Sequence, residues 1–391
     1  SKKIISKFLS IFRKDSDPFI YGVKLKSFDL IQLYLKLKLV PQINIMPFYS
    51  RVETNKKIRN KLSFKKQKVH KIEDFIRKIL VEVIPSDYIE NFKRLDKITD
   101  QVNLQKNPKF ILTGHGYRNI IFSYWTAKKV EKRVPYYLMQ HGGNYFSFKH
   151  NHAIEPGYST CSKFLSWGKI NYRKTLPLFN TNNIPYKSLF RINSNKIFVY
   201  STLMNGKRNK SYNNYEKMIL EHKIMSSALN GLSDNNKKDV IIRLHSTDRD
   251  FLRNKILNEI FFNKMEFMLD KSILTQKKVY KKSKLIIHGD DGTGILETLS
   301  LNIPSIFLMP DLKLITKNCK KDYLKLKDAK ILFFNSKELS NHVNKYSGNI
   351  NKWWFNKKVV NIRNNFVNKY SRPVPKNPIS DLVKLLNIVQ K

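Results

Sequence analysis

K-L-I-I-H-G-D-D-G-T-G-I-L-E-T-L-S-L-N-I-P-S-I-F-L, residues Lys284 to Leu308, opens with a short apolar run that reads as a buried strand. The run breaks on glycines and acids, resumes with helical spacing, and ends in a second apolar run after Pro304. That is a βαβ unit of a parallel sheet. Its turn, His288 to Gly294, falls where open α/β sheets bind ligands, beyond the carboxyl ends of the strands. Thr293 and the N–H groups around Gly292 and Gly294 sit at the helix start, where an anion is stabilised. The turn is neither a Walker loop nor a full G-x-G-x-x-G fingerprint, so a tight βα connection without ligand is the competing reading.

Working outward, strands are expected at Ile197 to Tyr200, Asp239 to Leu244, Ile306 to Leu308 and Ile331 to Phe334. Helices are expected at Tyr215 to Leu229, Gln276 to Lys282, Val359 to Tyr370 and Ile379 to Val389. Upstream, strands at Lys109 to Thr113, Tyr136 to Met139 and Lys163 to Trp167 flank a helix at Asn119 to Lys129. Residues 1 to about 100 read as mainly helical, with segments at Val69 to Leu80 and Ile84 to Leu95. The polar stretch Asn180 to Asn195 reads as a linker. The chain is therefore expected to be α/β, with two doubly wound Rossmann-type domains facing a central cleft and extra N-terminal helices. The expected boundaries are 1–190, 191–358, and a helical tail 359–391 that packs back across the domains.

With 391 residues, 41% hydrophobic, the chain can bury two cores. Its net charge of +44 invites a nucleic-acid reading. Against that, lysine far outnumbers arginine, the lysines form no dense block, and they travel with abundant Asn and Ile as in a compositional drift. Anionic partners such as nucleotide sugars, acidic glycans or an anionic membrane face remain favoured. Cys161 and Cys319 form no C-x-x-C and are expected to stay reduced in a cytoplasmic protein. No transmembrane segment, no cofactor and no metal site are expected. The first residues make an amphipathic basic helix with Ile4, Ile5, Phe8, Leu9 and Phe12 on one side. Packing on the body and peripheral attachment to the inner membrane face are both open for it.

The polar clusters recur at strand ends: G-H-G at 114, Q-H-G-G at 140, L-H-S at 244 and H-G-D-D-G-T-G at 288. His141, on a tight turn, suits a general base or a donor to developing charge, or else shapes the turn through local backbone bonds. His115 follows the same logic, or orients His141. Arg243 and His245 lie two apart on one strand end, so they share a face that suits a phosphate or a sugar carboxylate. Structural pairing of Arg243 with Asp248 or Glu297 is the other reading. Glu297, one turn after Thr293, accepts ribose hydroxyls or neutralises its helix end. Asp290 and Asp291 could bind a divalent cation or act as a base, although two acids alone do not define a metal site. Glu155 reads as a loop carboxylate, which by itself would be solvated.

Together these elements resemble a GT-B glycosyltransferase. The C-terminal half is similar to the nucleotide-binding half of sialyltransferase-like and Kdo-transferase-like enzymes, which use CMP-activated ulosonic acids. R-L-H-S at 243–246 stands where those families carry His-Pro, with Ser246 for the proline. D-G-T-G at 291–294 stands where they carry a serine pair. Q-H-G-G-N-Y (Gln140, His141, Gly142, Gly143, Tyr145), the later Glu155, S-W-G, and Trp353-Trp354 resemble a group of bacterial surface-carbohydrate transferases. The tryptophan pair is read as core.

The resemblance implies a nucleotide-sugar donor, CMP-linked by preference, and a glycan or lipid-linked glycan acceptor, as in lipopolysaccharide or capsule synthesis. Residues 1–190 would take the acceptor and 191–358 the donor. Arg243, His245, Ser246, Gly292, Thr293, Gly294 and Glu297 would hold the donor. Gln140, Gly142, Gly143 and Tyr145 would form the acceptor-side loop, with His141, Glu155 and His115 as catalytic groups. A teichoic-acid-type CDP-polyol phosphotransferase is the alternative enzyme. A basic nucleic-acid-binding protein ranks below both, because it gives the strand-end clusters no purpose, and no specific nucleic acid is expected.

Overall fold

In the computed structural model, residues 2–46, 53–62, 71–102, 104–149, 157–186, 194–200, 215–243, 268–269 and 275–388 are described. Packing divides the chain into two compact units, one of residues 1–23 and 34–138, the other of 24–33 and 139–389.

The chain opens with α1 (Lys2–Ser10), β1 (Phe19–Tyr21), α2 (Ser27–Lys36), α3 (Lys56–Asn60), α4 (Lys71–Val83) and α5 (Phe92–Gln101). Then come β2 (Ile111–Thr113), α6 (Ile120–Glu131), β3 (Tyr136–Met139), β4 (Lys163–Ser166) and β5 (Thr175–Pro177). The next set is β6 (Ile197–Tyr200), α7 (Tyr215–Asn230), α8 (Asp234–Lys237), β7 (Val240–Arg243), β8 (Met268–Leu269), α9 (Gln276–Lys282) and β9 (Leu285–His288). It continues through α10 (Thr293–Ser300), β10 (Ser305–Leu308), α11 (Lys317–Asp328) and β11 (Leu332–Phe333). The last helices are α12 (Ser336–Tyr346), α13 (Ile350–Trp354), α14 (Lys357–Tyr370) and α15 (Pro378–Ile388).

Two sheets form, one ordered β1-β2-β3-β4-β5 and one ordered β11-β10-β9-β6-β7-β8. Every described pairing in the second sheet is parallel. From β6 the chain winds outward through β7 to β8, then returns beside β6 with β9 and winds the other way. This is the doubly wound Rossmann order, and its switch point lies between β6 and β9. Val199, Ile242, Ile287, Ile306 and Leu332 are all buried, as continuous apolar strands covered by helices on both faces must be. Trp353 and Trp354 join that core as expected, their indole N–H groups donating to the Ala329 carbonyl and to Asn302 Oδ1.

Three expectations change. The N-terminal hundred residues are not all helical: Phe19–Tyr21 pairs with β2, too short a strand for any periodicity to reveal. The helix expected over 84–95 is instead a 3-10 turn at Ser86–Tyr88 followed by α5 from Phe92, with Pro85 standing just past the end of α4 at Val83, which it cannot extend. The linker expected over 180–195 is, through 186, a buried 3-10 turn, with Asn180 and Asn183 fully enclosed. Their Nδ2 groups donate internally, Asn180 Nδ2 to the Ser371 hydroxyl and Asn183 Nδ2 to the Glu297 carbonyl, so polarity there does not mean solvent.

Candidate functional site

The site is built on the switch point of the second sheet. The register sets Tyr200, the last residue of β6, opposite Arg243 on β7 and His288 on β9. Side chains in register on adjacent parallel strands share a face, and these three form a row. The His288 ring stacks on Tyr200 with centroids 5.3 Å apart and planes inclined by 16°. The Arg243 guanidinium lies 5.8 Å from the Tyr200 ring centroid, within cation–π range. Gln276 Nε2 donates to the Tyr200 hydroxyl across 2.7 Å and fixes the ring from α9. Burial pushes His288 down to about 3, so its imidazole is neutral, and its Nε2 lies 3.2 Å from Thr298 Oγ1.

Beyond His288 the turn folds back at once: Gly289 N–H donates to the Tyr200 carbonyl, and Asp290 Oδ1 accepts from Gly292 N–H. Gly292 caps α10, which starts at Thr293 as the sequence implied. The two acids part company. Asp291 is buried, its Oδ2 accepts from the Tyr323 hydroxyl across 2.8 Å, and burial pushes its carboxyl up to about 7. Among the described residues no group of three His, Cys, Asp or Glu side chains has metal-binding geometry.

The loop after β3 lies directly on this turn. Gln140, buried, holds the loop's shape: its Oε1 accepts from Trp167 N–H and its Nε2 donates to the Gly142 carbonyl, each across 2.8 Å. Gly143 N–H donates to Thr293 Oγ1 across 2.9 Å. A Cβ on Gly143 would stand 2.9 Å from both the Gly292 carbonyl carbon and Thr293 N, so only glycine permits this approach. Asn144 takes a left-handed φ of 65° and sends its amide toward Asp291 Oδ1 at 3.4 Å. The half-buried His141 ring is held by the Tyr145 hydroxyl, 2.5 Å from Nδ1, while Tyr145 itself is buried.

Glu297 faces a pocket of about 260 Å³ lined also by Lys24, Lys26, Asp29, Asn182 and Tyr186. Asn182 Nδ2 donates to its Oε1 and the Tyr280 hydroxyl to its Oε2, while burial raises its pKa. Burial raises the Tyr186 hydroxyl, with Glu297 adding to that shift and Arg243 opposing it.

The structure thus brings together Gln140, His141, Gly142, Gly143 and Tyr145 with Gly292, Thr293 and Gly294, and places Arg243 and Glu297 around the same strand ends. His115 is exposed on the turn after β2, in the other unit. Glu155, His245 and Ser246 lie outside the described residues. Sequence reading missed Tyr200, Tyr323, Asn144 and the pocket's Lys24 and Lys26. Only Tyr200 carried a usable signal, an aromatic closing a buried strand beside the switch point.

Among solved structures, UDP-N-acetylglucosamine 2-epimerase from Rickettsia bellii is similar with a TM-score of 0.51 and 11% identity, over 96% of each chain. The UDP complex of S. aureus MnaA gives 0.50 and 12%, over 96% of this chain and 98% of that one. The wall teichoic acid polymerase TagF gives 0.44 and 10%, over 100% and 93%. At such identities the likeness of the first two is one of fold, and it agrees with the two parallel-sheet, GT-B-type architecture. No curated protein matches in sequence. The model of the LIC12162 family transferases matches residues 1–386, and the chain belongs to that family.

Proposed function

We propose that this transferase moves a glycosyl group from a nucleotide-activated donor to a bacterial surface glycan, with the nucleotide seated at the switch point of the second sheet. The observation that carries the reading is the Arg243–Tyr200–His288 row, which opens onto the Gly-rich turn and the N-terminus of α10. Arg243, with His245 and Ser246 beyond it in the chain, neutralises the donor phosphate, and the first N–H groups of α10 share that charge. Glu297 accepts donor hydroxyls from its pocket. His141 acts as the base on the acceptor hydroxyl, oriented by Tyr145 through Nδ1, with Glu155 and His115 as the other candidates.

The resemblance of R-L-H-S and D-G-T-G to CMP-sugar enzymes makes a CMP-linked ulosonic acid the preferred donor. The S. aureus MnaA structure contains UDP, which makes a uridine donor the competitor. Thermal shifts with CMP, CDP, UDP and GDP separate them. Selective stabilisation by a cytidine nucleotide, lost in Arg243→Ala, supports the reading. Selective stabilisation by UDP replaces the donor class, and no stabilisation by any of the four overturns the nucleotide seat.

A further inference from the structure

Helix α1 is tethered through Ser6 and Leu9, both half-buried. The Ser6 hydroxyl donates to the Ile43 carbonyl across 2.6 Å, and the buried Gln42 amide donates to the Leu9 carbonyl across 3.1 Å. The apolar side points away from those contacts: Ile4, Phe8, Ile11 and Phe12 are 76%, 59%, 73% and 55% exposed. Backbone bonds from Ile11 to Phe8 and from Phe12 to Leu9 carry the coil past Ser10, keeping these residues on one stripe. The Phe8 and Phe12 rings meet edge to face, centroids 5.6 Å apart, among exposed neighbours. A surface helix of a globular protein ordinarily buries its apolar stripe, and this one leaves most of its stripe exposed.

In the same unit, α4 also leaves its apolar stripe exposed. Buried Arg59 grips its C-terminal end, donating to the carbonyls of Val81, Glu82 and Ile84, and the Glu90 carboxylate in turn accepts from the guanidinium. Ile72, Phe75, Ile76, Ile79 and Val83, at helical spacing, are all exposed. Polar bonds at the helix end fix α4 in place while its apolar stripe faces outward.

We propose that these two helices seat the protein on the surface of an anionic lipid bilayer, with the apolar stripes entering the headgroup–acyl boundary. Charge complementarity selects this occupant. In sequence, residues 2–17 hold five basic and two acidic residues. The whole chain carries +44, so anionic headgroups attract it while a second copy is repelled. The inference stands apart from the donor site and needs no assumption about the sugar.

The test is co-sedimentation of the full chain with vesicles of phosphatidylcholine alone or mixed with phosphatidylglycerol. Partition onto the anionic vesicles, weakened by salt, is expected. Phe8→Glu/Phe12→Glu is expected to lower that partition roughly tenfold or more with an unchanged circular dichroism spectrum, since both rings are exposed. Ile76→Glu is expected to weaken it independently. Failure of the wild-type chain to partition, or full partition of Phe8→Glu/Phe12→Glu, overturns the proposal. A concentration-dependent dimer that the double variant abolishes overturns it too, in favour of a second copy. Unchanged partition of Ile76→Glu overturns the part given to α4.

Discussion

Gly143 N–H donates to the hydroxyl of Thr293 across 2.9 Å, joining residues 150 positions apart. The sequence reading put them on opposite walls of a cleft, one for acceptor and one for donor. In the fold they belong to one compact unit, and the Q-H-G-G loop covers the turn that opens α10.

Gly143→Ala is expected to destabilise the protein by about 1–3 kcal/mol, because its Cβ must displace Gly292 or Thr293. Thr293→Val, which removes the acceptor and leaves the Gly143 N–H without it, is expected to cost about 1 kcal/mol. Urea denaturation midpoints measure both; a Gly143→Ala midpoint equal to wild type contradicts the tight approach.

His141→Ala is expected to lower kcat by roughly 10²–10⁴-fold if its imidazole is the base, with the thermal midpoint nearly unchanged. Tyr145→Phe removes only the hydroxyl at Nδ1. It should therefore displace the pH–rate profile and lower kcat less than His141→Ala does. An unaltered profile in Tyr145→Phe would show that the hydroxyl does not tune the ring.

Asp291 gives a pH dependence whose sign follows from its raised pKa. Folding prefers the neutral carboxyl, so the native state binds the extra proton between the unfolded value near 4 and about 7. Stability is greatest below that window and falls as pH rises through it. Asp291→Asn removes the ionisation and is expected to raise the melting temperature at pH 8 relative to wild type. The gain should shrink or vanish at pH 4. Equal gains at both pH values would refute this account.

Gly168→Ala tests the W-G motif. A Cβ there would overlap the Lys369 carbonyl oxygen, which is backbone and cannot rotate aside. The expected loss is about 3 kcal/mol or more, read as a lower denaturation midpoint. A neutral effect would mean that the end of α14 is free to move.

The sequence showed the second sheet well, because L-I-I, I-F-V-Y and S-I-F-L are continuous apolar runs ending in polar clusters, and burial on both faces demands that pattern. It showed less of the first hundred residues, where β1 has only three residues and a 3-10 turn at Ser86–Tyr88 stands in place of the first turns of a plausible helix. Asparagine misled in two ways. Asn180 and Asn183 looked like linker residues but are buried and bonded, and the general Asn richness looked like drift. Yet Asn55, Asn119, Asn335, Asn349 and Asn356 each cap a helix by accepting from its first N–H groups. At the site, the strand-end positions were legible from periodicity. The Arg243–Tyr200–His288 row and the Gly143–Thr293 bond were not, because register and loop-on-loop packing are tertiary facts.

The segment 368–372 closes the second unit by a series of long-range bonds. Lys169 N–H donates to the Asn368 carbonyl, Arg372 N–H to the Trp167 carbonyl, and Ser371 Oγ to the Leu296 carbonyl. Asn180 Nδ2 reaches Ser371 across a sequence separation of 191 residues. During synthesis, then, β4, β5 and α10 wait for chain made much later, and the unit completes only after residue 372 has emerged. Nascent chains halted before Ser371 should stay open to protease at the 167–180 segment, and become resistant there once Arg372 is added.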